Sequence, residues 1–225
     1  MKLASFDALV KALDDAHVRY LVAGGLAVNA HGLLRFTKDV DLVIQLAPGN
    51  IERAFAALGA LGYRPIVPVQ ASQLADRATR EGWIREKGMQ VLQFWSDGHP
   101  ETPVDVFVAE PFAFDEEYRR ALIKPLGSLE VRFSRVRHSS GSRRRRTAPR
   151  TGSTSITCER GWTMATTSKP EISGIDWSLT TWEGARREQM RRWSELPLER
   201  IILALEEMED LAERFAASQD RVREP

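Results

Sequence analysis

The first apolar positions, Leu3, Phe6, Leu9, Val10 and Leu13, recur at helical spacing and give way to Asp14 and Asp15, which predicts an amphipathic helix over residues 3–16. Tyr20-Leu21-Val22-Ala23 is then a short apolar run stopped by Gly24-Gly25. Residues 26–31 can wind into a helix whose first turn begins at those glycines, so the order strand, glycine turn, helix is predicted. Residues 37–44 are rich in β-branched side chains and are closed by Pro48-Gly49-Asn50, which predicts a second strand. Asn50 is expected to cap the following helix, residues 51–61, which carries Ile51, Ala54, Phe55 and Leu58 on one side and ends at Gly62.

Residues 91–95 and 104–108 read as two further strands joined by Ser96-Asp97-Gly98-His99-Pro100, and residues 129–133 as another short one. A helix over 71–89, around Leu74, Ala78, Trp83 and Ile84, is expected between the second strand's helix and these strands. Interleaved strands and helices imply an α/β or α+β fold with a small mixed sheet. Beyond Phe133 the pattern fails. Residues 134–168 hold Val136, Ile156, Trp162 and Met164 among Ser, Thr, Arg and Gly, too little apolar surface to offset the entropy of ordering, and are expected to be disordered. Helical spacing returns over 181–217, with Trp182, Ala185, Met190 and Trp193 in one section and Ile201, Leu205, Met208, Leu211 and Phe215 in another, split at Pro197. Four regions follow: a folded domain over 1–133, a basic disordered segment over 134–173, helices over 174–217 and a tail over 218–225.

Composition narrows the function classes. At 225 residues and 43% hydrophobic the chain can bury an ordinary core, which excludes a wholly disordered protein. No apolar run approaches the roughly 18 residues of a membrane span, and the start turns acidic before a signal-peptide core can form, so a cytoplasmic protein without a membrane partner is expected. The single cysteine, Cys158, allows no internal disulfide and no cysteine zinc cage. The net charge of +1 conceals eight arginines and no acid between residues 131 and 158, so the rest of the chain is acidic. The arginine run at 143–146 suits phosphate, yet no aromatic residues accompany it for base stacking, and a general nucleic-acid binder is disfavoured.

The candidate chemistry lies in the first domain. Alternate residues of a strand share a face roughly 6.6 Å apart, so Asp39 and Asp41 are expected to project side by side, and Asp105, on another apolar strand, can supply a third carboxylate. Like charges gathered in this way call for a cation, and carboxylate oxygens suit hard Mg²⁺, the usual partner of phosphoryl displacement. Gly24-Gly25, lacking Cβ atoms, let backbone N–H groups approach a nucleoside triphosphate closely, with Arg35, Thr37 and Lys38 adding charge or hydrogen bonds. His31 and His99 read as structural hydrogen-bonding residues, and the Trp182, Trp193 and Met208 stripe as helix packing.

Val22-Ala23-Gly24-Gly25-Leu26-Ala27, His31-Gly32, Arg35, Thr37 and Asp39-Val40-Asp41-Leu42, with Asp105 downstream, resemble the signature of the minimal nucleotidyltransferase superfamily, over residues 1–133. The chain is most similar to its small prokaryotic branch of AbiEii-like toxins and related partners of toxin–antitoxin loci. The resemblance implies metal-binding roles for Asp39, Asp41 and Asp105, a triphosphate site at Gly24 and Gly25, and transfer of a nucleoside monophosphate to an RNA, tRNA or protein hydroxyl. It also implies a toxin or antitoxin partner protein. The alternative is a catalytically inactive antitoxin or interaction protein on the same fold.

The family's downstream helix, with a lysine in an R-x-K-D-x-x-D-like stretch, is absent from residues 134–173. Permitted codons for residues 137–169, read from the third base of the Arg137 codon, encode R-A-K-D-R-L-D within an amphipathic helix. A frameshift near residues 133–137 is therefore expected, with Met164 opening an overlapping reading frame that supplies the C-terminal helices, and activity of this chain is expected to be impaired.

Overall fold

The computed structural model describes residues 1–135 and 182–223, with side chains of the second stretch described for 183–215. The basic segment beyond Arg135, with its arginine run and Cys158, lies outside the described residues, as do residues 136–137 of the expected frame junction at 133–137 and the side chain of Trp182.

Strands Tyr20–Val22 (β1), Val40–Ile44 (β2), Arg64–Pro65 (β3), Val91–Trp95 (β4), Val104–Phe107 (β5), Leu122–Leu126 (β6) and Leu129–Phe133 (β7) form one mixed sheet in the order β3-β4-β5-β2-β1-β7-β6. Helices Leu3–Asp15 (α1), Gly24–Ala30 (α2), Pro48–Ala60 (α3), Ala71–Ala75 (α4), Arg77–Lys87 (α5), Phe114–Arg119 (α6), Trp182–Glu195 (α7) and Leu198–Arg223 (α8) accompany it. The fold is α+β, as the interleaved pattern implies. β2 is central, parallel to β5 and antiparallel to β1. A central strand covered on both faces reads as a continuous apolar run, and four of its five residues are buried; Asp41 is the exception.

The two apolar sections around Pro197 become α7 and α8, and α8 joins the main core. Leu198, Ile202 and Leu205 are buried in one cluster with Phe6 and Leu13 of α1 and with Val131 and Phe133 of β7. Polar contacts fix the join. α1 has no side-chain cap of its own, and Glu206 accepts a hydrogen bond from Leu3 N at 2.5 Å in its first turn. Glu209, buried on α8, pairs with the Met1 amino group and with Lys38 Nζ at 3.0 Å. At the α7–α8 junction, the buried Lys124 donates to the carbonyls of Ser194 at 2.8 Å and Leu196 at 3.0 Å.

Several elements depart from the sequence reading. Asn50 lies inside α3, whose N-cap is Ala47; its side chain instead bridges Arg19 and Gln45 through their backbone atoms. The single helix expected over 71–89 is two helices, because the Asp76 carboxylate caps α5 by accepting from Thr79 N at 2.8 Å. α6 and β6 were not expected; Pro125 interrupts the β6 pattern and is tolerated because β6 is an edge strand. His31 bonds Ser134 O at 3.0 Å, and His99 bonds Ser5 Oγ at 2.9 Å while stacking on Tyr63, so both are structural. Among the described residues no helix is long and apolar enough to cross a membrane.

Candidate active site

The site forms where β1 ends. Gly24 follows that strand with φ +59°, and a Cβ there would fall inside the carboxylate of Asp41, so only glycine fits both the conformation and the space. A Cβ at Gly25 would lie 2.6 Å from Thr37 Oγ1. The two glycines therefore press the start of α2 against the entry to β2, and Ala23 N bonds Asp41 O at 2.8 Å across the strand pair.

Asp41 and Asp105 stand opposite each other in the parallel β2–β5 register. Asp39 sits just before β2 rather than inside a strand running from 37, because ladder bonding starts only at Val40, whose N–H reaches Pro103 O at 2.9 Å. The three carboxylates nonetheless converge, each offering one oxygen within 4.8 Å of the other two, and all three are half-buried.

Their electrostatics are those of an uncompensated anionic cluster. Burial, then the charges of Asp39 and Asp105, push the Asp41 carboxyl up to about 6, with the Gly25 N–H and Arg35 partly offsetting the rise. Asp105 is raised by burial and by Asp39, with the side chain of Gln93, its cross-strand neighbour on β4, acting in the opposite sense. Asp105 Oδ1 is buried and has no hydrogen-bond partner among the described residues. A buried orphan acceptor beside two more carboxylates is what a hard divalent cation satisfies, so Asp39, Asp41 and Asp105 fit an ion such as Mg²⁺.

The expected helpers divide. Thr37 is buried and donates to Asp39 Oδ1 at 2.6 Å. Arg35 is exposed and near enough to influence Asp41. Lys38 is drawn to Glu209 of α8, with its ammonium also above the Phe36 ring at 5.9 Å. Sequence reasoning missed Gln93, whose position is visible only from strand register, Glu209, whose partners Met1 and Lys38 are distant in the chain, and Asn29, whose partners Gly25 and Arg35 are near in sequence but meet it only once the loop at 33–38 folds back.

No family model matches the chain. Over 85 residues it is 33% identical to the bifunctional glutamine synthetase adenylyltransferase/adenylyl-removing enzyme of Xanthomonas oryzae pv. oryzae, a match covering 38% of this chain and 9% of that enzyme's length.

Proposed function

We propose that the chain is a metal-dependent nucleotidyltransferase that moves a nucleoside monophosphate from a nucleoside triphosphate to an acceptor hydroxyl. The observation that carries this reading is the gathering of Asp39, Asp41 and Asp105, one of them with an unsatisfied buried oxygen, beside a glycine turn that tolerates no side chain.

In this reading the three aspartates hold Mg²⁺, the Gly25 N–H steadies the Asp41 carboxylate, and the Gly24 backbone N–H and the side chain of Arg35 receive the phosphates. Thr37 orients the Asp39 carboxylate through its 2.6 Å hydrogen bond. Bound Mg²⁺ would supply charge neutralisation at the phosphoryl oxygens. The acceptor oxygen bonds to the α-phosphorus, its proton passes to water, and the α–β bridging bond breaks with its electron pair leaving on pyrophosphate. Positioning and electrostatics account for most of the rate in such a transfer.

The resemblance to AbiEii-like proteins supports an RNA, tRNA or protein acceptor and a role in a toxin–antitoxin pair. The engagement of Lys38 by Glu209, together with the missing downstream lysine motif, favours the second reading, an inactive partner protein on the same fold. Incubation with each α-labelled nucleoside triphosphate, Mg²⁺, total RNA and a protein extract separates them. Label transferred to RNA or protein and lost in Asp105→Asn supports the enzyme; absence of transfer alongside Mg²⁺-dependent nucleotide binding supports the inactive partner.

A further inference from the structure

Asn29 lies on α2, fully buried, one helical turn beyond Gly25. Its Nδ2 donates to Gly25 O at 2.9 Å and to Arg35 O at 2.6 Å, and its Oδ1 accepts from Arg35 N at 2.9 Å. Both amide N–H groups are thus used, and the amide can face only one way. Residues 33–38, which Arg35 anchors, have no regular ladder of their own. Within them Thr37 packs on Gly25 and bonds Asp39. The path Gly25–Asn29–Arg35–Thr37–Asp39 runs from the glycine turn to the acidic cluster without passing through the sheet.

We propose that Asn29 is a positioning residue that fixes the spacing between the glycine turn and the segment carrying Arg35, Thr37 and Asp39, so that a metal-bound polyphosphate is gripped at both ends at once. The inference rests on the nucleotide reading of the site. Two ends held at a fixed separation bind one ligand cooperatively, because the second contact costs little further entropy. If the amide is lost, each end persists while their mutual spacing becomes variable.

The test uses the full chain and two variants. Asn29→Asp keeps the shape and the acceptor for Arg35 N–H but removes both donors; Asn29→Ala removes the bracket without adding charge and serves if the aspartate variant does not fold. Three quantities are read: amide hydrogen exchange of residues 33–38 without ligand, affinity for Mn²⁺ alone, and the factor by which Mg²⁺ raises affinity for ATP. Exchange is expected to rise about tenfold, the equivalent of about 1.4 kcal/mol. Mn²⁺ affinity should stay within about twofold, while the Mg²⁺ enhancement of ATP affinity falls about tenfold. A lowered melting temperature with unchanged exchange and unchanged enhancement makes Asn29 merely structural and overturns the proposal. Faster exchange in the variants, with no Mg²⁺ enhancement even in the parent chain, removes the nucleotide reading and leaves the bracket standing.

Discussion

The carboxylate of Asp41 occupies the space in which a side chain at residue 24 would begin, so the strand that carries the acid and the turn that follows β1 specify each other. Gly88 is the natural control: it has nearly the same φ, +62°, at the end of α5 and nothing within 4 Å of its absent Cβ. Gly88→Ala is expected to cost about 1 kcal/mol from left-handed backbone alone. Gly24→Ala adds the collision with Asp41 and is expected to cost at least about 3 kcal/mol. Urea denaturation of the two variants checks this, and equal losses would contradict it.

The acidic cluster also sets a pH dependence. Because the Asp41 carboxyl is raised from 3.8 to about 6 in the folded chain, its contribution to stability is fully present below the unfolded value and is lost as pH rises through the folded one. The metal-free protein, kept in chelator, is therefore expected to lose stability between about pH 4 and pH 7. Asp41→Asn should flatten that fall, and divalent metal should offset it by binding the deprotonated form. Denaturation midpoints at several pH values, with and without chelator, read out all three.

Lys124 and Lys38 make different predictions although both are lysines near helix α8. The Lys124 ammonium is buried, which lowers its pKa, and it satisfies two carbonyls at the α7–α8 junction. Lys124→Met leaves both acceptors unpaired and is expected to destabilise the chain by about 2 kcal/mol in denaturant titrations.

For Lys38 the expected phenotype is in binding and is small. Its ammonium is spent on Glu209, whereas Arg35 is exposed beside the cluster. Arg35→Ala is expected to weaken Mg²⁺-ATP binding about tenfold, and Lys38→Ala less than threefold, by isothermal titration calorimetry. The reverse order would show that Lys38 leaves Glu209 to meet the phosphates.

The sequence made much of this architecture readable because its signals were local. Strand β1, the glycine turn and α2 follow from an apolar run ended by Gly24-Gly25, and β4, β5 and the break at Pro197 follow in the same way. What depended on distant partners was not legible. Asn50 looks like a cap until Arg19 and Gln45 claim its side chain. β6 is hidden by Pro125, which only an edge position excuses. The three aspartates could be singled out as residue types, but their convergence depends on the parallel register that sets Asp105 opposite Asp41. Asn29 carried no sequence signal, since a buried amide between two backbone segments resembles any helical asparagine until the loop at 33–38 is in place.

The most direct measurement is thermal stabilisation of the full chain by ATP with and without Mg²⁺, compared with the Asp39→Asn, Asp41→Asn double variant. Stabilisation by the two ligands together that exceeds either alone, and that disappears in the double variant, is the expected result. The same response in parent and variant, or none in the parent, would contradict a divalent metal and nucleotide site at Asp39, Asp41 and Asp105.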